Sequence, residues 1–179
     1  MKKFLTAMLA FAAFFCSVAH AAAQPQTIAM VGFSHSTPSA LNVALTAIND
    51  SQKTLYLFAY NFTHPDVVKA LIAAKKRGVD VKVMLDRTNQ HGDSQAALVA
   101  AGIPCYVDQT YRIFHHKTMV IDGSSIENGS FNYTVSADKS NAENALYLKN
   151  VPALATAYKI EFDKNVGLPK TIRCAGGAQ

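Results

Sequence analysis

The chain has 179 residues, half of them hydrophobic, and its 17 Lys and Arg against 12 Asp and Glu leave a formal charge of +5. That length suits one domain with a single good core, and the modest positive charge permits a polyanionic partner without naming one. Beyond residue 23 no segment is long and apolar enough to span a bilayer.

The first 23 residues read as a secretory leader. Lys2 and Lys3 precede an apolar run from residue 4 to 18, and Ala19-His20-Ala21 and Ala21-Ala22-Ala23 offer small-x-small cleavage sites. A membrane anchor is the alternative, but the run is short and no stop-transfer charges follow it. Phe14 and Phe15 before Cys16 argue against a lipoprotein. The short Lys-Lys start looks bacterial, so the mature protein, a single domain over residues 24–179, is expected in the periplasm or outside the cell. Removing two lysines and no acid lowers the formal charge from +5 to +3. Cys105 and Cys174 then remain in an oxidising compartment, where they form a disulfide or stay as two buried thiols.

In chain order, residues 27–33 read as a strand and 34–38 as a polar turn. A helix starts near Ser39, with Leu41, Ala44, Leu45 and Ile48 on one apolar face. Residues 53–62 read as a buried strand. Thr63 and Pro65 then mark a helix start, with the Thr63 hydroxyl as cap. That helix carries Val67, Val68, Leu71 and Ile72, and its basic end Lys75-Lys76-Arg77 complements the helix dipole better than it argues for nucleic acid. Residues 79–85 form a strand, 94–101 a helix, and 105–107, 117–121, 125–131 and 143–148 further strands. A last helix places Val151, Leu154, Ala155, Tyr158 and Phe162 on one face. The alternation predicts an α/β fold, a mixed and mostly buried sheet sandwiched between helices.

The chemistry concentrates in Phe114-His115-His116-Lys117 and Gly129-Ser130-Phe131-Asn132. In a strand His115 and Lys117 point the same way, and so would Ser130 and Asn132 on the next one. An imidazole, an ammonium, a hydroxyl and a carboxamide at one spot suit a phosphodiester, supplying a nucleophile or base, a fixed cation and neutral donors. Glu143 is placed to accept from the second nitrogen of His115 and fix its tautomer. Each residue alone has an ordinary explanation as an exposed or turn side chain. His116 raises a metal site, but adjacent strand positions face opposite ways, and no further ligand motif accompanies the pair. No metal and no cofactor is expected.

The spacing His115-x-Lys117-x4-Asp122-x6-Gly129-Ser130-x-Asn132 resembles the signature of the phospholipase D superfamily, and the text around it resembles its small bacterial Nuc-type endonucleases. The resemblance covers nearly all of residues 24–179. It implies that His115 is a nucleophile forming a phosphohistidine and that Lys117 and Asn132 bind the phosphate oxygens. It further implies that Glu143 orients His115, that Ser130 supports it, and that Asp122 is a structural member of the signature. An in-line displacement needs a nucleophile and an acid on opposite sides of phosphorus, and this chain holds one signature. The site is therefore expected at the twofold interface of a homodimer.

The function expected is metal-independent, non-specific endonuclease action on DNA, with RNA left open as a second substrate, by a protein without stable membrane insertion. Phospholipid hydrolysis or phosphatidyl transfer uses the same chemistry and is the alternative. A silent nucleic-acid-binding protein is a third reading, against which the intact residue set argues.

Overall fold

The apolar runs near residues 55 and 83 become the centre of an eight-stranded sheet, in the order β1-β7-β6-β5-β2-β3-β4-β8. The strands are β1 (Ile28–Phe33), β2 (Thr54–Ala59), β3 (Asp80–Asp86), β4 (Cys105–Asp108), β5 (Lys117–Ile121), β6 (Ser125–Gly129), β7 (Asn144–Lys149) and β8 (Ile172–Arg173). Helices α1 (Ala40–Asp50), α2 (Pro65–Lys76), α3 (Asp93–Ala100), α4 (Val135–Lys139) and α5 (Pro152–Val166) connect or flank them. This computed structural model describes residues 25–90 and 92–174. The leader expected at residues 1–23 lies outside them.

β2 pairs in parallel with β3, and β3 with β4, through the crossover helices α2 and α3, while the remaining pairings are antiparallel. The centre of the sheet is covered on both faces, which is why β2 is buried from Leu55 to Ala59 without polar alternation. One face carries Leu55, Leu57, Val83, Met119 and Tyr147 against α1 and α2. The other carries Tyr56, Phe58, Met84 and Val120 against Ala155 and Phe162 of α5. The expected α/β sandwich is the fold observed.

Helix α1 begins as the sequence suggests. Ser39 caps Asn42 N–H and the Asn42 side chain returns to the Ser39 backbone. Its buried face is rotated from the one expected, toward Ala40, Val43, Ala44, Ala47 and Ile48. Gly32 explains the rotation: a Cβ there would collide with the Ser39 carbonyl and Val43, so β1 and α1 touch backbone to side chain. In α5, Ala155 and Phe162 face inward as predicted, whereas Leu154 is exposed.

The cap of α2 is His64 rather than Thr63, its Nδ1 accepting from Asp66 N–H at 3.2 Å. The basic end of α2 is structural as well. Arg77 Nη2 donates to the carbonyls of Ile48, Asn49 and Ser51 and ties the ends of α1 and α2 together. Cys105 and Cys174 are joined by a disulfide that fastens β8 to β4, beside the Tyr106↔Arg173 pairing.

Candidate active site

Strand direction collects the chemistry on one rim of the sheet. The register pairs Phe33 with Asn144, Gly129 with Ala145, Thr118 with Asn128 and Ala59 with Lys117. The ends of β1, β6 and β2 therefore lie beside the starts of β7 and β5. Ser34, Glu143, Ser130, His115 and Tyr60 sit just beyond those strand ends, side by side along the rim.

At its centre, Tyr60 N–H donates to the His116 carbonyl at 2.8 Å and extends the β2–β5 pairing by one step. The ring of Tyr60 then packs 4.6 Å from the imidazole of His115, and Lys117 Nζ stands 5.3 Å from the same ring. Lys117 Nζ also donates to the His115 carbonyl at 3.1 Å. The lysine is only 7% exposed, and that burial lowers its pKa, with the negative charge of Glu143 pulling it back up. His115 itself is exposed. An imidazole open to solvent thus stands beside a held ammonium.

His116 faces the other way. Its ring lies 4.7 Å from Phe114 and 5.2 Å from Phe58, in the layer under α5. Burial lowers its pKa; Glu161 opposes the shift, while Lys117 and His115 add to it. The two adjacent histidines do not share a site, in keeping with strand alternation.

On the β7 side of the rim, β6 ends at Gly129, where a Cβ would run into the Asn144 carbonyl and the backbone of Ala145. The Asn144 carbonyl then accepts from both Ser130 N–H at 3.1 Å and Phe131 N–H at 3.2 Å. Ser130 and Asn132 lie beyond the strand, whereas the sequence reading had placed both on it. Ser130 Oγ donates to Glu143 at 2.5 Å and accepts from Asn144 N–H at 3.1 Å. Asn141 Nδ2 holds the second Glu143 oxygen at 2.9 Å, and Ser34 Oγ accepts from Glu143 N–H at 2.9 Å.

Among the described residues no hydrogen bond joins Glu143 to His115. The topology gives the reason: Glu143 opens β7, which adjoins the Ser130 end of β6, while His115 leads β5 one strand further on. Asn132 keeps a buried Oδ1 with no partner among the described residues, an acceptor whose desolvation they leave uncompensated.

Asp122 stands apart. It closes β5 at the opposite rim, roughly 20 Å from His115 for seven extended residues. Its carboxylate accepts from the N–H groups of Gln52, Lys53 and Thr54 at 2.9, 2.7 and 2.8 Å. The residue is a clamp between the β5–β6 turn and the start of β2, so it takes no part in chemistry at the rim.

Reading the sequence missed Tyr60 and Ser34. The signal for Tyr60 was its position at the end of a buried strand, but its contacts depend on a pairing that joins residues far apart in the chain.

The family profile described as cardiolipin synthase, PLD-like domain, matches residues 44–166. Nuc, a phospholipase D family member from Salmonella typhimurium, superposes with a TM-score of 0.78 at 34% identity, over 83% of this chain and 98% of its own. NucT from Helicobacter pylori shares the fold at 17% identity and a TM-score of 0.70, over 83% of this chain and 99% of its own. By sequence, a phospholipase D of Rickettsia bellii is 37% identical over 62% of this chain and 56% of its own length. A mitochondrial cardiolipin hydrolase of Xenopus laevis is 33% identical over 72% of this chain and 61% of its own length. The chain thus spans little more than half the length of these two relatives. With more than two thirds of its residues inside the matched profile and a fold shared almost end to end with Nuc, the chain belongs to the phospholipase D superfamily.

Proposed function

We propose that the chain is a periplasmic or secreted endonuclease that hydrolyses nucleic-acid phosphodiesters through a phosphohistidine on His115, without a metal. The observation that carries this reading is the rim itself, where an exposed His115 lies beside a held Lys117, with the Ser130–Glu143 pair along the same edge. His115 attacks phosphorus, and Lys117 and Asn132 take the non-bridging oxygens, so that the ammonium supplies charge where other nucleases use an ion. The resemblance gives Ser130 and Glu143, already joined, the part of supporting the imidazole, a contact not made among the described residues.

The leaving oxygen needs a proton from a second acid, and the single signature points to His115 of the partner subunit across a twofold axis. Water activated by that same group then releases the phosphate from His115. Nucleic acid is favoured over lipid because the sequence around the signature resembles the small Nuc-type endonucleases, and the likeness in fold to Nuc takes in 98% of that chain. The leader pattern and the Cys105–Cys174 disulfide support an oxidising compartment.

Phospholipid hydrolysis is the second reading, favoured by relatives named phospholipase D and cardiolipin hydrolase. Among the described residues no helix is long and apolar enough to cross a membrane. The deciding assay is turnover by purified protein, in excess EDTA, on plasmid DNA, RNA and phosphatidylcholine vesicles. Cleavage of the vesicles alone would replace this reading with the second, and activity that returns only with added magnesium or zinc would overturn the mechanism.

A further inference from the structure

The loop that delivers His115 is built at some cost. Residues 109–114 run from the end of β4 to His115, and two buried carboxylates help to hold their backbone. Asp108 accepts from Thr110 N–H at 3.1 Å and Tyr111 N–H at 3.0 Å. Asp86 accepts from Thr88 N–H at 2.9 Å and Phe114 N–H at 2.6 Å. Arg87 Nη2 donates to the Arg112 carbonyl at 3.0 Å, and Phe114 is buried against Phe58 and His116. Buried carboxylates are tolerated only when satisfied in this way.

What this frame presents to solvent is unusual for a loop held so firmly. Tyr111 is 41% and Ile113 43% exposed, on either side of an exposed Arg112. Burial of either apolar side chain would have stabilised the fold, yet the anchored backbone points them outward. The charge pattern is one-sided as well. From residue 109 to 121 the chain has Arg112, Lys117 and two histidines and no carboxylate. Asp86 and Asp108, the acids bonded to the loop backbone, are buried and occupied by N–H groups, while Glu143 and Glu161 act on Lys117 and His116, beyond residues 110–113.

We propose that residues 110–113 form a subsite for an unpaired nucleotide flanking the scissile phosphodiester, with Tyr111 and Ile113 receiving the base and Arg112 the adjoining backbone. This rests on the nucleic-acid reading above and deepens it to a substrate class, single strands. An aromatic face beside a guanidinium is the pairing that binds single-stranded nucleic acid without regard to sequence. In a duplex the bases are already stacked on one another, so the two exposed apolar side chains gain nothing from it. The loop ends at His115, so a base held there belongs to a nucleotide next to the one attacked.

The test measures kcat/KM on a thymidine oligonucleotide, alone and annealed to its complement, for the wild-type protein and for Tyr111→Ala, Arg112→Ala and Tyr111→Phe. The wild type should prefer the single strand. Tyr111→Ala should lower the single-to-double-strand ratio roughly tenfold, Arg112→Ala should lower it less, and Tyr111→Phe, which keeps the face, should restore it. Thermal melting of each variant establishes that the exposed positions leave the fold intact. A ratio unmoved by Tyr111→Ala, in an enzyme that does cut DNA, overturns this inference alone. Loss of activity that tracks dissociation of a dimer in light scattering also overturns it, since the loop would then be a subunit contact. A wild-type protein that hydrolyses phosphatidylcholine vesicles and neither form of the oligonucleotide overturns it together with the proposed function.

Discussion

The ring of Tyr60 lies 4.6 Å from the imidazole of His115 and 5.3 Å from the ammonium of Lys117, so one side chain fixes the spacing of the two groups expected to meet phosphate. The contact to Lys117 is a cation–π interaction, worth about 0.5–2 kcal/mol according to its desolvation. Tyr60→Ala should therefore lower kcat by roughly 2- to 30-fold, with a smaller change in KM, because the nucleophile and the cation lose their common wall. Tyr60→Phe should stay near wild type, since neither contact uses the hydroxyl. If the Phe variant is as impaired as the Ala variant, the hydroxyl has a role of its own and this account of Tyr60 is wrong.

Glu127 gives stability a pH dependence. It is fully buried in β6, and burial pushes its carboxyl up to about 8, against a smaller opposing pull from the Tyr133 hydroxyl, which donates to it at 2.8 Å. In the unfolded chain the group titrates near 4.5. Between those two values the folded protein keeps a proton that the unfolded chain has released, so stability falls as pH rises through the window. Glu127→Gln keeps an acceptor for Tyr133 and removes the ionisation. Urea unfolding should show it stabilised relative to wild type by up to a few kcal/mol at pH 8 and little changed at pH 5. An equal effect at both values would mean that Glu127 does not hold its proton.

The disulfide joins residues separated by 69 positions and fastens a strand of only two residues to the sheet edge. By its effect on the unfolded chain, closing a loop of that length contributes about 4 kcal/mol. Reduction, or Cys105→Ser with Cys174→Ser, should lower stability by roughly 2–4 kcal/mol in denaturant titrations. Activity of the folded protein should persist, since Cys105 starts β4, at the opposite end of the strand from Asp108 and the loop that leads to His115. Full activity loss at a temperature where the reduced protein is still folded would show that the clip reaches the rim.

These predictions divide along the line between local and distant information. The strands around Leu57 and Val83 were legible because burial on both faces leaves an unbroken apolar run. The signature residues were legible because their spacing is fixed by a hairpin, β5 to β6, that is local in sequence. Ser130 and Asn132 do not follow strand alternation, since both lie beyond β6. A close approach between Gly129 and Asn144 marks the end of β6, and that contact depends on β7, which sequence periodicity cannot register. Asp122 shows the converse: a residue of the signature lies on the opposite rim, because what it binds is the backbone entering β2. Helix α4 and β8 escaped notice because five and two residues are too few to display a period. His64, which replaced Thr63 as the cap of α2, also reaches toward Asp138 of α4, a contact that no local rule would supply.

The shared site makes the sharpest prediction. If each active centre needs His115 from two chains, a dimer carrying one His115→Ala subunit has a single imidazole and lacks either nucleophile or acid. Co-refolding equal amounts of wild-type and His115→Ala chains gives a random mixture in which about a quarter of the dimers are wild type. Activity should fall to about a quarter of that of the same total amount of wild-type protein, rather than to about half. Mixing with Lys76→Ala provides the control. That side chain is exposed at the basic end of α2, away from the rim, and activity should stay near its starting level whatever the mixing ratio. The curvature of the titration carries the information: a quadratic dependence on the wild-type fraction requires two intact histidines per site, whereas a straight line means that each chain holds a complete site of its own. Light scattering on the same samples should report a dimer throughout, and a monomer that still cuts DNA would end the shared-site mechanism.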